Sequence, residues 1–134
     1  MASSDRHVRP LRRGRPAAVL RADVERKRPH ILKQFIDVVS QPGMVFGVDP
    51  VTGYTHLLAG GNRRAAVVYT SAVWGPPLGP QFGRDFQSTY FGDWLSWTGI
   101  TDISEIRYHP TLSGDADEAR RQALATARDT AKTF

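Results

Sequence analysis

The sequence predicts an α/β domain with a parallel sheet, on three observations. Apolar residues recur at helical spacing in three separate stretches. Between these stretches lie two short strand-like runs, one of them apolar without interruption. The two kinds of segment alternate along the chain, as crossover helices between parallel strands require.

The first helix is read from PHILKQFIDVVS, where Ile31, Leu32, Phe35, Ile36 and Val39 share helical spacing. Pro29 suits a first turn, and Pro42-Gly43 ends the helix. Residues 43–62 read as a loop-rich stretch, with turn signals at Asp49-Pro50, Thr52-Gly53 and Gly60-Gly61-Asn62. AAVVYTS then reads as a strand covered on both faces. AVWGPPLGPQFG is too rich in Gly and Pro for regular structure.

The second helix opens at Asp85, a candidate N-cap, and closes at Gly99, a plausible C′ residue. Its expected inner stripe is Phe86, Tyr90, Trp94 and Trp97, with Leu95 beside it. ITDISEIRYHP reads as a short strand carrying Ile100, Ile103, Ile106 and Tyr108. Ser113-Gly114-Asp115 opens a last helix with a small-residue face of Ala119, Ala123, Ala127 and Ala131. Leu124 and Phe134 add larger contacts there. Two strands cannot make a covered parallel sheet, so the chain is expected to be a fragment of a larger fold or to complete itself by association.

Composition excludes several functions. There is no Cys, which rules out disulfides and thiolate chemistry and fits a cytoplasmic setting. No apolar run approaches the roughly 20 residues of a membrane span. The net charge of +5 hints at nucleic acid, but its distribution argues otherwise. Residues 1–28 carry nine of the 18 basic residues against three of the 13 acids. The remainder is close to neutral. A basic-tailed nucleic-acid binder is therefore a minor alternative, resting on charge alone.

In an open α/β sheet, ligands bind beyond the carboxyl ends of the strands. Thr70, Ser71, Ala72, Val73 and Trp74 stand at such an end. Hydroxyls and backbone N–H groups meet small residues and a flat aromatic there. The plainer reading has Thr-Ser simply ending a strand and Trp74 covering the core. His7, His30, His56 and His109 lack metal-ligand spacing and read as surface or loop residues. Asp85, Asp93, Asp102 and Glu105 read as capping or solvated charge. The Trp94 and Trp97 stripe reads as core or subunit interface. No side chain stands out as an acid, base or nucleophile, and no P-loop, dinucleotide fingerprint or nucleophile elbow is present.

Three segments carry a family likeness. PHILKQFIDVVSQPGMVF, AAVVYTSAVWG and DFQSTYFGDWLSWTGITDI resemble consecutive parts of the FMN-dependent NADH-azoreductases, also described as NADH:quinone oxidoreductases. The Gly-Ile-Thr-Asp run is the most specific of these. The resemblance covers residues 29–134 and implies a flavodoxin-like three-layer α/β/α fold, incomplete, with the C-terminal strands and helices only. It implies FMN as cofactor, NADH or NADPH as donor, a quinone or azo compound as acceptor, and a homodimer. It also implies that the loop holding Ser71, Ala72, Val73 and Trp74, with Thr70 just inside the strand, contacts the flavin. Many members have Ser-Arg-Gly-Gly where this chain has Ser-Ala-Val-Trp, so an Arg contact is lost and backbone contacts are kept.

The family's phosphate-binding loop and its Pro-Met-aromatic-Asn flavin motif are not visible before Pro29. Residues 1–28 are expected to be a basic segment outside the fold, either disordered or translated out of frame. Reading permitted codons for Gly14–Pro29 one base later yields ADLLLFSAPMWNVNVP, an apolar strand followed by the missing motif. This requires GAT for Asp23 and GTG for Val24; other codons exclude it. The chain is accordingly expected to be inactive alone. A non-catalytic partner of a full-length relative is the remaining alternative.

Overall fold

The computed structural model describes the backbone of Val19–Asp23 and residues 30–72, 84–112 and 114–134. The elements run β1 (Val19–Asp23), α1 (His30–Val39), β2 (Phe46–Asp49), β3 (Gly53–His56), β4 (Arg64–Thr70), α2 (Ser88–Thr98), β5 (Asp102–Tyr108) and α3 (Ala116–Thr133). β4 is the central strand of a three-stranded parallel sheet ordered β1-β4-β5. This is an α/β architecture with a parallel sheet, as the sequence predicts.

Strand alternation divides β4 between two faces. Ala65, Val67 and Tyr69 join Leu32 and Ile36 of α1 and Phe91 and Leu95 of α2 in the main core. Ile103 of β5 packs against the same cluster. Ile106 has the opposite parity and is buried, and α3 packs on β5 with Ala123 buried. Ala119 and Ala127 lie half-buried on that helix, while Ala131 and Leu124 are exposed. Asp115 caps α3 by accepting from the Glu118 N–H at 2.8 Å.

Three sequence expectations are corrected here. First, Val19–Asp23 pairs with β4 as a strand; the rest of residues 1–28, read as a basic segment outside the fold, lies outside the described residues. β4 is apolar on both faces and has backbone groups on two edges; β5 satisfies one edge and β1 the other. The expectation of only two strands falls with it.

Second, residues 46–56 are not loop but an antiparallel hairpin, β2–β3. The Asp49-Pro50 and Thr52-Gly53 signals belong to its turn. Asp49 Oδ1 accepts from the N–H groups of Val51 and Thr52 at 2.8 and 2.7 Å. Phe46 stacks on Tyr54 with centroids 5.1 Å apart, and Trp97 of α2 lies 5.3 Å from Phe46. The Trp97 backbone carbonyl meets His56 Nδ1 at 2.5 Å, which ties the hairpin to the end of α2.

Third, the buried stripe of α2 is Ser88, Phe91, Leu95 and Thr98. The expected stripe is out of phase with it. Phe86 precedes the helix and is exposed, as is Tyr90, while Trp94 and Trp97 sit half-buried at the margin. Gly99 does end the helix in the left-handed region, at φ 103°. The Ile100 N–H donates to the Leu95 carbonyl and the Gly99 N–H to the Ser96 carbonyl, each at 3.0 Å, the Schellman pattern.

Candidate functional site

The site grows from the carboxyl end of β4. Thr70 closes the strand opposite Tyr108 of β5, and Ser71 and Ala72 follow. Thr70 and Ser71 are 7% and 4% exposed, whereas Ala72 is half-buried. The Ser71 N–H donates to the Tyr108 carbonyl at 3.4 Å. The Ser71 carbonyl accepts from the Thr111 N–H at 2.9 Å, and the Ala72 carbonyl accepts from Leu112 N–H at 2.9 Å. The end of β4 is thus laced to residues 108–112. Of the five residues expected at the site, Thr70, Ser71 and Ala72 lie together at this edge; Val73 and Trp74 lie outside the described residues.

The Ala72 N–H donates to no acceptor among the described residues. It leaves one backbone donor, on a half-buried residue, at the end of the central strand. The small Ala72 side chain lets a planar ring approach the backbone.

Beside this edge lies a polar cluster that sequence reasoning missed. Asp85 Oδ1 accepts from the Gln87 and Ser88 N–H groups at 3.0 and 2.9 Å, so Asp85 does cap the start of α2. Its Oδ2 receives the Ser88 hydroxyl and the Arg107 Nη1 donor, the latter at 3.0 Å. Arg107 Nη2 also donates to Ser88 Oγ at 2.9 Å and to Glu105 Oε2 at 2.6 Å. The guanidinium carbon lies 5.7 Å from the centre of the Tyr69 ring. Glu105, expected to be solvated charge, is paired instead.

The electrostatics follow from burial and pairing. Burial pushes the Asp85 carboxyl up, but the Ser88 hydroxyl and amide and the Arg107 guanidinium outweigh it and hold the carboxyl below its ordinary value. Burial drives the Tyr69 phenol well above its ordinary value, and Glu105 adds to the effect. His109 is half-buried rather than at the surface. Burial, with Arg107 adding to it, lowers its imidazole pKa. Among the described residues no helix is long and apolar enough to cross a membrane.

Comparison with known proteins adds the family. A family model described as "Flavodoxin-like fold" matches residues 27–131. An FMN-dependent NADH:quinone oxidoreductase of Ruegeria pomeroyi is 48% identical over 91 residues, covering 68% of this chain and 44% of the relative. One of the same name from Desulfotalea psychrophila is 39% identical over 101 residues, covering 75% of this chain and 45% of the relative. The chain spans about half the length of the curated relatives it matches.

An FMN-dependent NADH-azoreductase from Bacillus anthracis, solved in complex with FMN, superposes with a TM-score of 0.68 at 22% identity. The superposition covers 84% of this chain and 55% of that one. At that identity the superposition speaks for the fold. The family resemblance read from the three sequence segments therefore holds, and the chain belongs to the flavodoxin-like fold family.

Proposed function

We propose that residues 29–134 form the C-terminal part of an FMN-dependent NAD(P)H oxidoreductase that reduces quinones or azo compounds. The single observation that carries this reading is the position of Thr70–Ala72 at the carboxyl end of the central parallel strand, where the Ala72 N–H meets no acceptor among the described residues. The names of the relatives support the same chemistry. When bound, FMN supplies the hydride chemistry. The chain's own contribution is to hold the ring edge through the backbone of Ala72 and to keep that backbone in register with β5. Val73 and Trp74 belong to the same proposed contact.

The 134-residue chain alone is proposed not to hold FMN. A phosphate favours a helix N-terminus with unspent N–H groups. At α2 and α3 the carboxylates of Asp85 and Asp115 already occupy that position. Titration of the purified chain should leave FMN fluorescence unquenched. A yellow protein with one FMN per chain would overturn this part of the reading.

The partner proposed is a second copy or a full-length relative. Ile31, Phe35 and Val38 recur at i, i+4 and i+7 on α1 and are exposed, Ile31 at 77%. Phe35 also meets Trp94 of α2 edge-on at 6.4 Å, so the patch continues onto the neighbouring helix. Sedimentation of the same sample should show a dimer; a monomer at tens of micromolar would count against it.

A further inference from the structure

We propose that Arg107 is a positioning residue that holds Ser71 and Ala72 in one geometry by fixing the end of β5 and the residues after it against the start of α2. Ser71 and Ala72 are bonded to Tyr108, Thr111 and Leu112 through the backbone. Arg107, next to Tyr108 on β5, is bonded to Asp85 and Ser88 at the start of α2.

The geometry suits a clamp. The guanidinium fork reaches three side chains: Asp85 and Ser88 at the start of α2, and Glu105 on its own strand. Glu105 braces the fork two residues away, on the same face of β5. Tyr69, directly opposite Arg107 in the β4–β5 register, supplies the ring beneath it. His109 is the other titratable group near Arg107. A fork with fixed planar donors can satisfy both carboxylates at once, which a single ammonium cannot. Charge-assisted bonds of this type are among the stronger polar contacts in a partly dry site.

The clamp goes beyond the flavin reading and rests on it only for what Ser71 and Ala72 hold. It is testable on the full chain without ligand. Amide hydrogen exchange would be followed in the wild type, Arg107→Met, Arg107→Lys and Asp85→Asn. Arg107→Met should speed exchange about tenfold at Thr111 and Leu112, whose N–H groups bond Ser71 and Ala72, as well as at Gln87 and Ser88. Val67, in the centre of β4, should keep its protection. Arg107→Lys should restore part of the protection, and Asp85→Asn should reproduce the loss if the methionine variant fails to fold. Unchanged exchange at Thr111 and Leu112 would overturn the clamp, since Arg107 would then act only on the cap of α2. Acceleration at Val67 to the same degree would overturn it too, as a general loss of stability. Failure of the flavin reading itself would show in cofactor binding and leave these exchange rates as they are.

Discussion

Replacing Phe91 by alanine is expected to remove most of the stability of this chain. Phe91 is 0% exposed and stacks on Trp94 with centroids 5.6 Å apart. It sits where α1, α2 and β4 meet, in one cluster with Leu32, Ile36, Val67, Tyr69 and Leu95. Truncating such a ring loses the burial of its apolar area and leaves a cavity that surrounding side chains fill only in part, at a cost of about 3–5 kcal/mol. Whole domains are stable by only about 5–15 kcal/mol. A three-stranded sheet with three helices lies near the lower bound. Urea titration should show the Phe91→Ala midpoint moved close to zero denaturant. Phe91→Leu should cost far less, about 1–1.5 kcal/mol, because most of the volume is kept. Equal effects of the two variants would mean that the ring is not packed as described.

Gly99→Ala should be the other severe change, for a different reason. Gly99 has φ 103°, a conformation disfavoured by about 1–2 kcal/mol for a residue with a Cβ. The added Cβ would lie 2.4 Å from the Ala59 backbone nitrogen and 2.7 Å from its Cα. Backbone cannot rotate away as a side chain can, so the end of α2 must part from the segment after β3. Overpacking of this sort adds about 1–3 kcal/mol. Gly92, about two turns earlier and inside the helix that Gly99 ends, has open space around its Cβ position. Gly92→Ala should therefore stabilise by about 0.5–1 kcal/mol. Thermal melts of the pair should move in opposite directions.

The sequence carries the helices and the strands β4 and β5 because their signals are local. The apolar run of β4, the cap at Asp85 and the terminal Gly99 are each read within a few residues. Other features depend on partners far along the chain. The four-residue strands β2 and β3 hold Gly47 and a single turn between them, too little alternation to stand out from loop. Their order comes from Trp97, some 40 residues later, which closes on Phe46 and Tyr54. The α2 stripe is misphased because Phe86 looks like the first inner residue, whereas Asp85 caps at Ser88 and the helix starts after it. β1 answers a demand of β4's open edge rather than any pattern of its own.

The site divides in the same way. Thr70–Ala72 is legible from the end of an apolar strand followed by small residues. That the Ala72 N–H, unlike that of the buried Ser71, meets no acceptor among the described residues is visible only in three dimensions. The Arg107 cluster joins positions 85, 88, 105 and 107 through the β4–β5 register and the entry into α2. Spacing alone gives no sign of it: Asp85 reads singly as a helix cap and Glu105 as solvated charge.

The proposal that residues 29–134 supply the C-terminal half of a flavin site is tested most directly by grafting them in place of the matching C-terminal part of the Ruegeria pomeroyi relative and titrating the purified chimera with FMN. The chimera should be yellow, bind one FMN per chain and oxidise NADH when a quinone is supplied. A chimera that melts cooperatively, and is therefore folded, yet stays colourless at saturating FMN would contradict it.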